Sequence, residues 1–184
     1  MQVSKTSIAD VKIIAPALFE DQRGFFMETY NRRRYIENGI DETFVQDNLS
    51  CSHLGIIRGL HYQFPNPQAK LVYVISGEVF DVAVDIRQNS PTFGKWTGTV
   101  LSGKNRKQMF IPAGFAHGFQ AMSDHVLLAY KCSDFYDPAA DRVIRWDDPD
   151  INISWNADVP GLSEKDANAP YLREVPANCL PETG

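Results

Sequence analysis

A chain of 184 residues with 43% apolar content can bury one sizeable core and is short for two ordinary domains, so it reads as a single unit over 1–184. Its formal net charge of −5 excludes a broad basic face for nucleic acid or anionic membrane, although it leaves room for a local basic pocket. No apolar run approaches the roughly 18 residues of a membrane span, and Met1-Gln2-Val3-Ser4-Lys5 lacks the apolar core of a secretion signal, so a cytoplasmic protein is expected. The 3 cysteines, Cys51, Cys132 and Cys179, are odd in number and far apart, which predicts reduced thiols rather than a disulfide framework or a structural zinc.

In chain order, extended segments are predicted at 11–14, 24–30, 44–50, 56–63, 71–76, 79–86, 97–101, 108–111 and 126–131. Alternation is clearest where Phe80, Val82, Val84 and Ile86 interleave with Val79, Asp81, Ala83 and Asp85, the pattern of a strand with one face in a core. Turn chemistry separates the segments at Asp21-Gln22-Arg23-Gly24, Ser76-Gly77-Glu78, Asn89-Ser90-Pro91, Ser102-Gly103-Lys104-Asn105 and Pro112-Ala113-Gly114. A helix is predicted over 31–38, capped by Asn31 and closed by Gly39, and a short turn begins at Ser163. From about residue 147 the prolines 149, 160, 170, 176 and 181 punctuate a mostly polar stretch that reads as an extended tail wrapping the core. Many short strands with few peripheral helices predict an all-β sandwich or barrel. At the end, Leu180-Pro181-Glu182-Thr183-Gly184 spells a sortase-type pentapeptide, but without a secretion signal and a following apolar, basic tail no anchoring role is expected.

The chemistry concentrates in Arg58-Gly59-Leu60-His61-Tyr62-Gln63, followed by Gln68-Ala69-Lys70. A neutral imidazole, with a reference pKa of about 6.5, can take a carbon-bound proton near physiological pH, and a cation can hold the charge that results. Lys70 would point into a core only to meet an anion, because an unpaired buried ammonium is costly. Upstream, Phe44-Val45-Gln46-Asp47-Asn48 sets a polar triplet behind an apolar pair, with Gln46 and Asn48 on one strand face. Downstream, the 111–119 segment places His117 in a turn punctuated by glycine and proline. These segments together point to an anionic, carbonyl-bearing ligand. Strict alternation puts Arg58 and His61 on opposite faces of one strand, so a shared pocket requires a twist, a bulge near Gly59 or a long arginine reach.

The combination of Asp21-Gln22-Arg23-Gly24-Phe25-Phe26, Gln46-Asp47-Asn48, Arg58-Gly59-Leu60-His61-Tyr62-Gln63, Ser90-Pro91-Thr92-Phe93-Gly94, Ile111-Pro112-Ala113-Gly114-Phe115-Ala116-His117-Gly118-Phe119 and Leu162-Ser163-Glu164-Lys165-Asp166 resembles the dTDP-4-dehydrorhamnose 3,5-epimerases, in order from about residue 6 to residue 170. The resemblance implies a cupin-type jelly roll of antiparallel strands and a homodimer with exchanged N-terminal strands. It further implies a cofactor-free enzyme that inverts C3 and C5 of dTDP-4-dehydro-6-deoxy-D-glucose through an enolate, toward dTDP-L-rhamnose.

Under that resemblance His61 is the base, Asp166 orients it, Tyr130 is the acid on the opposite face, and Lys70 meets the enolate oxygen at C4. Taken alone, Tyr130 in Val126-Leu127-Leu128-Ala129-Tyr130 reads as a core aromatic. For the nucleotide half, Arg23 and Arg58 suit forked contacts to phosphate. Phe19 and Phe26 offer apolar faces for the base, with alternation sending only one of Phe25 and Phe26 toward it. Gln46, Asp47 and Asn48 supply polar contacts, and by the resemblance Glu28, His117 and Lys165 also line the site. Asp141, ahead of Arg142-x-Ile144-x-Trp146, is one methylene shorter than the glutamate common in the family. A metal-dependent cupin would favour a His-x-His pair, whereas here Gln63 follows His61 and position 70 is a lysine, so no metal is expected. A single-centre epimerase would share the base and nucleotide site, and a sugar-binding module would leave His61 and Lys70 without a purpose.

Overall fold

The computed structural model describes residues 1–156 and 160–183. Among them the strands are β1 (Gln2–Lys5), β2 (Lys12–Ala15), β3 (Leu18–Asp21), β4 (Gly24–Met27), β5 (Gln46–Ser52), β6 (Ile57–Gln63), β7 (Lys70–Ser76), β8 (Glu78–Asp85), β9 (Trp96–Ser102), β10 (Gln108–Ile111), β11 (Phe115–Ala121), β12 (Val126–Cys132) and β13 (Asp141–Val143). The helices are α1 (Arg32–Glu37) and α2 (Glu164–Ala167). A six-stranded sheet runs β1-β2-β10-β7-β12-β5, a five-stranded sheet runs β13-β6-β11-β8-β9, and the β3–β4 hairpin stands apart from both. Neighbours pair antiparallel, and from β5 to β12 the chain changes sheet at every step except between β8 and β9. That exchange makes the expected all-β, cupin-type jelly roll.

Three apolar layers hold it together. Between the sheets, Val72, Val74 and Leu128 meet Val79, Ala83 and Phe119. Outside the six-stranded sheet, Tyr35 of α1 and Ile40 cover Ile14, Leu71 and Phe110. Outside the five-stranded sheet, Ile151, Leu172 and Leu180 of the tail cover Val82, Val84 and Ile86. At about 1.5–3 kcal/mol for each fully buried aliphatic side chain, those tail residues fix the segment against the sandwich. Helix α1 forms where expected, with Asn31 Oδ1 accepting from Arg34 N at 3.4 Å.

The structure corrects four expectations. β8 is buried on both faces rather than one, because the tail covers its Phe80/Val82/Val84 face while Val79, Asp81, Ala83 and Asp85 look into the sandwich. Asp85 survives there because it is satisfied: burial pushes it up, but bonds from Arg87, Ser90 and Thr92 outweigh it and hold the carboxyl at about 2. Asp81 is met at Oδ1 by His117 at 2.8 Å, while its Oδ2 is buried without a hydrogen-bond partner. His117 lies in a strand rather than a turn. The turn ends at Gly114, whose φ of +88° suits glycine, and β11 begins at Phe115. Strand β4 ends at Met27, short of residue 30, and the tail beyond β13, besides α2 at the expected Ser163 turn, carries two 3₁₀ turns, Leu172–Glu174 and Ala177–Cys179, rather than being otherwise extended.

All three cysteines are free. No helix among the described residues is long and apolar enough to cross a membrane. In the terminal pentapeptide Leu180 and Pro181 are buried, and Gly184 lies outside the described residues.

Candidate active site

The polar residues of three neighbouring strands meet because their registers coincide. On β12, Tyr130 lies beside Asn48 of β5 and Val72 of β7, and Cys132 lies beside Gln46 and Lys70. Side chains two apart share a face, so Gln46, Asn48, Tyr130, Cys132 and Lys70 look together toward the five-stranded sheet. They form one wall of a cavity of about 630 Å³ between the sheets. The facing wall carries Arg58, His61 and Gln63 of β6, with Asp141, Lys165 and Asp166 beside them.

A bulge puts Arg58 and His61 on the same wall. Opposite β6, His117 pairs with His61 and Phe119 with Arg58, so three steps on β6 match two on β11. The extra residue reverses the alternation. It sits where two glycines cross: Gly59 has φ +121°, and a Cβ there would lie 2.6 Å from both Gly118 Cα and His117 O. Of the three ways by which one pocket could hold both side chains, the backbone takes the bulge.

His61 Nε2 lies 2.6 Å from Asp166 Oδ1. Asp166 is 2% exposed and is delivered by α2, whose cap Ser163 accepts from Asp166 N at 3.1 Å. Burial pushes the Asp166 carboxyl up, but hydrogen bonds from His61, Ser163 and the Gly59 backbone prevail and hold it below its ordinary range. An ionised carboxylate at Nε2 keeps the proton of a neutral ring there and leaves Nδ1 with the lone pair. On the other wall, burial pushes the Tyr130 phenol up, so it stays protonated at physiological pH. Burial also pulls the Lys70 ammonium down, against the opposing pull of Cys132, Asp81 and Asp141. A poorly solvated cation of this kind gains most when a neighbouring oxygen becomes negative.

The remaining expected residues divide in two. Arg58 reaches the cleft with Nε donating to Ser52 Oγ at 3.0 Å and Nη2 to Cys51 O at 3.1 Å. Gln46 donates to Asn48 Oδ1 at 2.9 Å. Asp141 is paired with Lys165 and accepts from the Tyr136 hydroxyl at 3.1 Å. By contrast, Phe19, Arg23, Phe26, Glu28, Asp47 and His117 do not line the cavity of their own chain. Asp47 falls on the outer phase of β5 and pairs with Lys131 at 2.7 Å. His117 is buried beside β6, next to His61 on the inner face of the sheet, with Nε2 2.8 Å from Asp81 Oδ1, and burial pulls its imidazole down. Phe19, Arg23 and Phe26 sit on the separate hairpin, with Arg23 against Asp21 at 2.5 Å. Glu28 pairs with Arg34 at 3.2 Å.

Ser52, His53, Gln63, Gln68, Cys132, Tyr136 and Ser163 also line the cleft without having been singled out as site residues. Tyr136 had a signal: it belongs to Phe135-Tyr136, an aromatic pair in an otherwise polar turn.

A His–Asp couple, a phenol and a poorly solvated lysine, set on facing walls of an antiparallel β-sandwich, define a proton-transfer site of the cupin-type class. Residues 5–174 match the family described as dTDP-4-dehydrorhamnose 3,5-epimerase. A protein of that description from Methanothermobacter thermautotrophicus is 53% identical over 175 residues, 94% of this chain and 95% of the relative. One from Pseudomonas aeruginosa is 49% identical, covering 98% of this chain and 100% of the relative. The crystal structure of dTDP-6-deoxy-D-glucose-3,5-epimerase from Legionella pneumophila, in complex with dTDP-4-keto-L-rhamnose, superposes with a TM-score of 0.97 at 49% identity over 100% of this chain and 98% of that one. The chain belongs to the dTDP-4-dehydrorhamnose 3,5-epimerase family.

Proposed function

We propose that the protein converts dTDP-4-dehydro-6-deoxy-D-glucose to dTDP-4-dehydro-L-rhamnose by inverting C3 and C5, with the whole chain acting as one domain. The observation that carries the reading is the placement of the His61–Asp166 couple and Tyr130 on opposite walls of one cleft, with Lys70 on the same wall as Tyr130. His61 Nδ1 takes the hydrogen from a carbon next to the C4 ketone. The electron pair moves into the ring and onto O4, where the Lys70 ammonium donates a hydrogen bond to the enolate oxygen. Tyr130 returns a proton from the other wall as O4 becomes a ketone again, so the centre inverts. The reaction is redox-neutral, and the reading calls on no metal or cofactor. Arg58, Gln46 and Asn48 supply the polar contacts for the nucleotide diphosphate.

The test follows deuterium by NMR during turnover in deuterated buffer, with a reductase trapping the product. Label at both C3 and C5 is expected. Label at one centre would make the protein a single-centre epimerase, and none would remove the proton-transfer reading. Tyr130→Phe should lower product formation about 10²-fold or more while sparing exchange at the carbon that His61 deprotonates. Equal losses of exchange and product would rule out separate base and acid.

We also propose a homodimer in which the β3–β4 hairpin serves the neighbouring subunit's cleft. Supporting this, Phe19 and Phe26 are 61% and 67% exposed, and the outer face of the six-stranded sheet leaves Leu49 and Ile75 more than half exposed. One phenylalanine would cover the thymine, Arg23 would meet phosphate, and Glu28 would complete the rim. Sedimentation should give a dimer, and Arg23→Ala should raise KM about tenfold with a smaller change in kcat. A monomer with full activity would eliminate the shared site. A doubly charged sugar nucleotide does not cross a bilayer unaided, which supports action in the cytoplasm.

A further inference from the structure

At the rim of the cleft stands a cluster that proton transfer does not use. Ser52, the last residue of β5, pairs with Val126, the first residue of β12. His53 and His125 lie just beyond that last pair, with ring centroids 5.1 Å apart. Asp124 bridges them: its Oδ1 lies 2.9 Å from His53 Nδ1 and its Oδ2 lies 3.3 Å from His125 Nε2. One donor atom from each of the three residues falls within 4.8 Å of the others.

We propose that His53, Asp124 and His125 bind one borderline divalent cation of the Zn²⁺, Ni²⁺ or Cu²⁺ kind. Two imidazoles and a carboxylate are the donor set such ions prefer, whereas Mg²⁺ and Ca²⁺ favour oxygen ligands alone. Ligands at about 2.0–2.2 Å from a common centre lie about 3.4 Å apart, so small side-chain rotations bring these atoms to that spacing. Asp124 already bridges the two rings, 5.1 Å apart, which lowers the ordering cost of closing the site. The three side chains are all well exposed, so water can complete the coordination. As bare hydrogen-bonded pairs in solvent they would contribute little to stability. His53 also lines the cleft, so the ion would sit at its mouth, apart from His61, Tyr130 and Lys70.

The site does not depend on the epimerase reading and can be tested without turnover. Untagged, metal-stripped full-length protein is titrated with Zn²⁺ by calorimetry, beside His53→Ala and His125→Ala, with Mg²⁺ as the control ion. One Zn²⁺ per chain is expected, weakened at least about tenfold in each variant, the scale on which even supporting groups act in metal sites, with no Mg²⁺ uptake. The exposed positions make folding of both variants checkable by their melting curves. Absence of saturable Zn²⁺ uptake, uptake unchanged in both variants, or equal uptake of Mg²⁺ would each overturn the site.

Discussion

His61→Gln should lower epimerisation by about 10²–10⁴-fold, the usual contribution of a positioned general base, and should remove solvent exchange at C3 and C5 alike. Glutamine is the informative replacement because its amide nitrogen reaches the position of Nε2 and can still donate to Asp166, 2.6 Å from the native ring nitrogen, but cannot accept a proton from carbon. Alanine would leave a carboxylate that is 2% exposed without that partner, a loss of about 1–3 kcal/mol or more that mixes stability with catalysis. Binding of dTDP by the glutamine variant, followed by calorimetry, should stay within a few-fold of the parent, because the phosphate contacts come from elsewhere. Retained exchange at either carbon would take the base role away from His61 at that centre.

Gly59→Ala should be the most damaging small substitution in the chain. The new Cβ would lie 2.6 Å from Gly118 Cα and from His117 O, and both are backbone atoms of a central strand that cannot swing aside. Strain at φ +121° and the overpacking together come to about 2–6 kcal/mol. Gly24→Ala is the control, since φ there is +126° but nothing lies within 4 Å of the added carbon. The denaturant midpoint of Gly59→Ala should fall well below that of Gly24→Ala, and any folded remainder should be nearly inactive because Arg58 and His61 then lose their common wall. Similar midpoints for the two variants would show that the glycine crossing is not what sets the bulge.

The contrast between these two glycines shows how much the sequence reveals. Period-two alternation and Gly/Pro/Asn turns locate most strands within a residue or two, and Asn31 and Ser163 mark both helix starts. The same rule fails where the second face of a strand is also buried. In β11 the run Phe-Ala-His-Gly-Phe-Gln-Ala is buried throughout and shows no alternation to read. In β8 the apolar phase faces the tail, while the phase carrying Asp81 and Asp85 faces inward, its charges met by His117 and Arg87.

The site divides along a similar line. His61, Lys70, Gln46 and Asn48 are legible as chemistry because residue type and strand phase suffice. The meeting of Arg58 with His61 is not, because it depends on a glycine from a distant strand. Nothing local marks Asp166 as the partner of His61. That pairing was visible only through the family resemblance.

The position of Asp166 also gives the protein a temporal order. A chain made from its amino end completes all the strands of both sheets, His61 included, before the segment bearing α2 exists. The nascent sandwich can therefore fold around a histidine that lacks its orienting carboxylate. Docking of the tail is then the step that arms the base, so folding of the barrel and onset of activity are separate events along synthesis.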